Sequence, residues 1–318
     1  MQMIFFKFLH SSIYASYLSV SMLFLLGSSL NTACSQESIQ KGVVFAWDQE
    51  EQTNSYWKKA INCGDPNQPG GIGNTQGSKI TFGVENEVRF PGTQSVEFWT
   101  DARYAETCNQ NFSAERAEIH MNTPIYTELG AKIGATVWFG WSEMYTAFDK
   151  NHEATLFQLR SGPGSPTAEI KYAPEKGFLV FYIGSKWYPI MPLEHLVENQ
   201  WYDYVLEFTY SYDITGSARL WVYKAGDKDP TLYSLQDRPK FFHKGLTQIA
   251  GKDTDPHIRW GVYRWDSADF PPEEILEEDY QFIKYLGPVR IAFGQNLGSK
   301  GFDAVKPRPL SASPTGGE

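Results

Sequence analysis

Arg116-Ala117-Glu118-Ile119-His120 reads as a β-strand whose period-2 alternation puts Arg116, Glu118 and His120 on one face and the two apolar residues on the other. A cation, an anion and an imidazole in one row are costly to bury. The row therefore marks either a solvated edge strand with an Arg–Glu pair or a wet groove on a sheet. Two later stretches repeat the device. In Leu156-Phe157-Gln158-Leu159-Arg160 the amide and the guanidinium share a face against Phe157 and Leu159. In Arg259-Trp260-Gly261-Val262-Tyr263-Arg264 the shared face holds Arg259, Gly261 and Tyr263, and Gly261 leaves space between two large polar groups. Structural strands have no need to interrupt an apolar pattern three times with Arg, Gln, His or Tyr, so the groove is the better reading. Gln158 follows His120 by 38 positions (158 − 120), a spacing that suits adjacent strands of one concave sheet joined through Val137 and the Met144–Glu153 connection.

Working outward, the chain from Gly42 onward alternates short β-rich runs with turn clusters and contains no long amphipathic helix. Strands are expected at Val43–Trp47, Ser95–Trp99, Thr136–Trp141, Ala154–Leu159, Ala168–Tyr172, Phe178–Ile183, Tyr202–Thr209, Ala218–Tyr223, His257–Tyr263 and Val289–Ala292. Many short strands with turn signals between them mean an all-β sandwich, barrel or jelly roll. Asn62–Ser78 reads as a loop, Pro271–Tyr280 as an acidic loop or one short helix, and residues 307–318 as a disordered tail. With 318 residues, 42% of them hydrophobic, the chain can bury a large core, and all-β folds of this length are often one domain. That domain is expected over residues 37–306. The net charge of −9 gives no reason to expect nucleic-acid binding, so cations that bind an anionic ligand must be placed locally.

Residues 1–36 read as a targeting segment, because nothing from Ser11 to Gln36 is charged and Leu18–Leu30 is apolar with serines. Small and polar residues break the run before spanning length, which favours a signal peptide over a retained anchor. Leu30-Asn31-Thr32-Ala33-Cys34-Ser35 resembles a bacterial lipobox with the leucine one place early. The expectation is an exported protein, either secreted, periplasmic or an outer-membrane lipoprotein with a lipid anchor at Cys34. Of the three cysteines, Cys63 and Cys108 are then left as a pair in an oxidising compartment and are expected to be bridged.

The three polar-faced strands resemble those of polysaccharide lyases with the concanavalin-like β-jelly roll, the group that contains alginate, heparin-I-type and glucuronan lyases. Arg116-Ala117-Glu118 is similar to the family's Arg-x-Glu strand, Gln158-Leu159-Arg160 to its Gln-x-His strand, and Arg259-Trp260-Gly261-Val262-Tyr263 to its Lys-x-Gly-x-Tyr strand. Trp201-Tyr202-Asp203-Tyr204 and Arg219-Leu220-Trp221-Val222-Tyr223 are similar to its back-sheet strands. The resemblance implies a jelly-roll sandwich with a single catalytic domain. One departure matters: Arg160 stands where alginate lyases carry the His, and His120 where they carry a second Arg, an arrangement closer to the glucuronan-lyase branch.

A lyase of this kind removes the C5 proton of a uronic acid and expels the 4-linked sugar, which requires stabilising a carboxylate-derived enolate. An imidazole, with an ordinary pKa of about 6.5, can accept the proton near neutral pH, and that role falls to His120. Tyr263 can donate to the leaving oxygen, or serve as both base and acid on a syn route. Gln158 with Arg116 or Arg160 would hold the carboxylate, and Glu118 would orient Arg116 or His120. Arg259, Lys171 and Tyr188 are further candidates to line the groove, and Trp187, Trp260 and Trp265 to stack on sugars. His152 reads as a loop histidine. His195, His243 and His257 show no zinc spacing and no DxDxDG-type loop occurs, so no cofactor is required, although a structural calcium on loop carboxylates is compatible with the sequence. The partner expected is an anionic uronate polysaccharide such as glucuronan, ulvan or alginate, acted on by a monomer. A non-catalytic carbohydrate-binding protein on the same fold is the alternative. A retaining glycosidase would need two carboxylates roughly 5–5.5 Å apart, and no strand carries such an acidic row.

Overall fold

The computed structural model describes residues 44–47, 57–62, 78–101, 115–121, 134–161, 166–183, 186–210, 216–227, 233–234, 240–241, 256–264, 280–294, 297 and 299–308. All belong to the compact unit Val44–Glu318. The leader, Cys34, Cys63, Cys108, His243, Trp265 and most of the acidic Pro271–Tyr280 stretch lie outside the described residues, and with them the disulfide and lipid-anchor expectations.

Two antiparallel sheets stack on one core, giving the β-jelly-roll sandwich. With strands numbered in chain order, the seven-stranded sheet runs β10 (Lys186–Pro192), β9 (Phe178–Ile183), β8 (Ala168–Ala173), β7 (Ala154–Ser161), β15 (Pro256–Arg264), β5 (Glu115–Met121), β2 (Trp57–Asn62). The ten-stranded sheet runs β13 (Tyr233–Ser234), β12 (Gly216–Lys224), β11 (Trp201–Thr209), β6 (Thr136–Ala147), β16 (Gln281–Leu286), β4 (Ser95–Asp101), β3 (Ser78–Val84). Off that path, β17 (Val289–Phe293) joins β6 to β1 (Val44–Trp47), and β14 (Lys240–Phe241) pairs β12.

Alternation decides which face each sheet turns inward. Ala117, Ile119, Phe157, Leu159, Trp260 and Val262 from the seven-stranded sheet meet Phe139, Trp141, Tyr204 and Leu206 from the other in one buried cluster. At its centre the Trp141 ring lies between Phe157 (4.9 Å) and Tyr204 (5.0 Å), each nearly parallel to it. The outer face of the ten-stranded sheet is covered by the short helix α1 (Ser299–Val305), where Val305 packs with Trp138 and Val205. Gly301 permits that contact: a Cβ there would lie 2.3 Å from the Trp138 ring. Pro307 is buried and the Arg308 carbonyl accepts a bond from Arg290, so these two residues of the segment read as a tail are held against the fold.

Each strand expected from the sequence occurs. Six others among the described residues, β2, β3, β10, β13, β14 and β16, carry weaker signals. β10 holds two prolines, which only an edge strand tolerates, and β16 places Lys284 in its core-facing row, which breaks the apolar pattern. One expectation of order is corrected. The strands of His120 and Gln158 are not adjacent, because β15 runs between them and β6, which carries Val137, belongs to the other sheet. A concave pair of strands separated by a third satisfies the same alternation, so sequence spacing could not distinguish the two.

Candidate active site

The outer face of the seven-stranded sheet gathers the polar rows of β5, β15 and β7 into one site. In the antiparallel ladders Arg259 stands opposite both His120 and Gln158, Gly261 opposite Glu118, and Tyr263 opposite both Arg116 and Thr155. This face is turned away from the core, yet Gln158 is 0%, Glu118 1% and Tyr263 5% exposed. The polar row therefore lies in a recess rather than on an open surface. His120, Arg116, Arg160 and Arg259 are half-buried around its floor.

Glu118 is the hub. Its Oε2 lies 3.1 Å from Arg116 Nε and 3.4 Å from Arg259 Nη1, and its Oε1 accepts from Gln158 Nε2 at 3.0 Å. Gln158 Oε1 in turn accepts a long bond, 3.5 Å, from Arg160 Nη1. One buried carboxylate thus stands among Arg116, Arg160 and Arg259, and the floor of the recess is positive in a chain of net charge −9. The strain of that arrangement is visible on Arg160, whose pKa is lowered by burial and by the Arg259 charge, with only partial relief from Glu118. An anionic ligand would relieve it.

Tyr263 is held against this cluster. The Arg116 guanidinium stacks 4.1 Å above its ring centroid, and burial raises the phenol's pKa despite the opposing pull of Arg116. The phenol is therefore protonated at neutral pH and suited to donate. His120 lies four ladder positions from Tyr263 on the neighbouring strand. At about 3.4 Å per residue and 4.8 Å between strands, their Cα atoms are on the order of 14 Å apart. Imidazole and phenol can serve one sugar only by leaning toward each other over Gly261.

Gly261 makes the juxtaposition of β5 and β15 feasible. A Cβ there would sit 2.1 Å from the Ala117 carbonyl oxygen, and its φ of +151° is one that side-chain-bearing residues rarely adopt. Register shifts occur beside it in both ladders of β7, between Trp260 and Tyr263 against β15 and between Thr155 and Phe157 against β8. Such bulges free backbone carbonyls inside the sandwich, and a buried acceptor needs a donor. Lys284, reaching from the opposite sheet, supplies it: Nζ donates to Leu156 O at 2.6 Å and Gly261 O at 3.1 Å, and pairs with Glu143 at 2.6 Å. Glu143 also accepts from Trp141 Nε1 and the Tyr145 hydroxyl. At the end of β15, Arg264 is fully buried on Asp149, which also accepts from the backbone N–H groups of Asn151 and His152.

The remaining candidates separate. Lys171 of β8 is on the same face, opposite Thr155, in ion pairs with Glu153 and Glu169. Tyr188 is not: it stands opposite Phe181 and packs on the core, because one position along β10 reverses the face, and Trp187 points outward instead. Trp260 is also corrected, since it is fully buried 5.3 Å from Phe157 and unavailable to a sugar. His152 is the loop histidine expected, its Nδ1 2.8 Å from Asp149. Among the described residues no group of three or more His, Cys, Asp or Glu side chains is placed to hold a metal ion. Lys284, Glu143 and Arg264 carry no signal in the sequence except as charges in apolar strands, and Asp149, the partner of Arg264, lies in the connection between β6 and β7.

The polysaccharide lyase family model matches residues 46–279, more than half of the chain and all three polar-faced strands. No curated protein matches the sequence. Among solved structures, an endo-β-1,4-glucuronan lyase from the fungus Trichoderma reesei is similar at 14% identity, TM-score 0.48, over 79% of this chain and 99% of that one. An alginate lyase from Corynebacterium sp. is similar at 10% identity, TM-score 0.49, over 78% and 99%. The catalytic domain of a glycoside hydrolase family 131 protein from Coprinopsis cinerea is similar at 14% identity, TM-score 0.47, over 76% and 84%.

Proposed function

The chain belongs to the polysaccharide lyase family, and on that premise we propose that it cleaves a uronate-containing anionic polysaccharide by β-elimination. The observation that carries this reading is the grouping of Arg116, Arg160 and Arg259 about the single carboxylate Glu118, beside a protonated Tyr263. A uronate carboxylate seated there gains guanidinium partners and the amide of Gln158. Those same groups stabilise the extra charge as the C5 carbanion delocalises into the carboxylate.

In the reaction so assigned, His120 takes the C5 proton and the freed electron pair forms the C4–C5 double bond as the C4–O4 bond breaks. Tyr263 passes its proton to O4, after which solvent returns one to the phenolate and accepts the one held on His120. Glu118 positions Arg116, Arg259 and Gln158 and does not react. The four-position offset between His120 and Tyr263 favours a second reading, in which Tyr263 both removes the C5 proton and returns it to O4 while His120 binds the sugar. Incubation with glucuronan, ulvan and alginate, followed by ultraviolet absorbance of the conjugated double bond, tests the proposal. Absorbance should rise with at least one polymer, and depolymerisation without any rise refutes it. Loss of most turnover in both His120→Ala and Tyr263→Phe supports the pair, since each proton-transfer group contributes roughly 10²–10⁴-fold. Near-normal activity of His120→Ala assigns both transfers to Tyr263.

A further inference from the structure

We propose that the outer face of β8–β10 around Trp187 is a distal subsite that holds a uronate residue several sugars from the bond that breaks. The inference rests on the uronate-polysaccharide reading above and extends it along the sheet. Trp187 is 39% exposed, one of only two exposed large hydrophobic residues among those described. It stands on the same outer face of the sheet as Gln158, through Tyr182 and Glu169. Its ring lies 4.9 Å from that of Tyr182, and two ammonium groups converge on it, Lys171 Nζ at 5.2 Å and Lys176 Nζ at 4.7 Å. Lys171 is already paired with Glu153 and Glu169, whereas Lys176 contacts the indole and no carboxylate among the described residues. An aromatic platform beside an exposed cation that has no carboxylate partner among the described residues fits a pyranose that carries a carboxylate: the ring takes the apolar sugar face and Lys176 takes the charge.

The platform is continuous with the catalytic recess. From Tyr263 the same face passes through Thr155 to Lys171, and one row over through Gln158, Glu169 and Tyr182 to Trp187. Four strand steps separate β15 from β10, about 19 Å at 4.8 Å per step. On the other flank, among the described strands, β5 and β2 follow β15. A polymer laid across the strands therefore rests its longer arm on β8–β10, and a chain of two or three sugars cut at Tyr263 does not reach Trp187.

The test uses Trp187→Ala and Lys176→Glu in the full-length protein, on whichever of glucuronan, ulvan and alginate the wild type cleaves fastest, and on a trisaccharide from that polymer. Each variant should lose up to about tenfold in kcat/KM on the polymer through KM, with kcat and the trisaccharide kinetics unchanged. Equal losses on both lengths, or none on the polymer, overturn the subsite. Should the wild type cleave none of the three, the proposed function fails separately. The subsite is then decided by native gels cast with polyglucuronate, where wild type slowed more than Trp187→Ala supports it and equal mobility overturns it.

Discussion

Gln158 Nε2 donates to Glu118 Oε1 at 3.0 Å although the strand that carries Arg259 and Tyr263 runs between them. The bond crosses β15 where Gly261 has no side chain, so two outer strands are tied above a middle one. The site depends on that gap more than on any pair of neighbouring residues.

Gly261→Ala should therefore be disproportionately damaging for the addition of one methyl group. The new Cβ would force β5 and β15 apart at the Ala117 carbonyl, at a cost of about 1–3 kcal/mol, and would loosen Glu118 on its three partners. Urea denaturation and turnover on the active polymer measure the two effects, and activity should fall further than stability accounts for.

Lys284→Met should cost about 3–5 kcal/mol, because it leaves Glu143 buried without its cation and two carbonyls without their donor. Adding Glu143→Gln should recover part of that loss by removing the uncompensated charge. The comparison of single and double variants by chemical denaturation reads the coupling directly.

Glu118→Gln removes the charge that holds Arg116 and Arg259 while preserving the shape. Because Glu118 positions others, the variant should lose kcat on the order of 10²-fold with a smaller change in KM, as an interaction strongest in the transition state requires. Arg160→Ala should raise KM and lower kcat together, since that guanidinium grips the carboxylate before and during the reaction.

The alkaline limb of the pH profile separates the two assignments of the base. Burial raises the Tyr263 phenol above its ordinary 10.0. As a donor it is competent below that raised pKa and lost above it, so activity should rise over the range where an imidazole deprotonates and then hold to beyond pH 10. If the tyrosinate is the base, the sign reverses and kcat/KM climbs steadily through the alkaline range.

The fold was legible because its strands alternate cleanly, and β5, β7 and β15 carried their polar rows in the open. Arg116, Glu118, Gln158, Arg160, Arg259 and Tyr263 were all readable as one face for that reason. Tyr188 failed by a single position: both Trp187 and Tyr188 are aromatic, so nothing in composition fixes which one faces outward, and the face follows only from the pairing with Tyr182 and Phe181. The place of β15 between β5 and β7 was hidden because ladder partners are set by long-range pairing over more than a hundred residues. Lys284 was hidden for the opposite reason, since its partners are backbone carbonyls of another sheet and leave no mark on the sequence around it.

Mass spectrometry of the products from the active polymer tests the central claim most directly. Elimination adds no water, so each cut should yield one fragment with a C4–C5 double bond, one water lighter than its saturated counterpart, and fragment masses that sum to the parent. Tyr263→Phe should form none of it. Fragments that are all saturated and together one water heavier per cut, formed by a wild-type protein whose Tyr263→Phe variant remains active, would contradict the account.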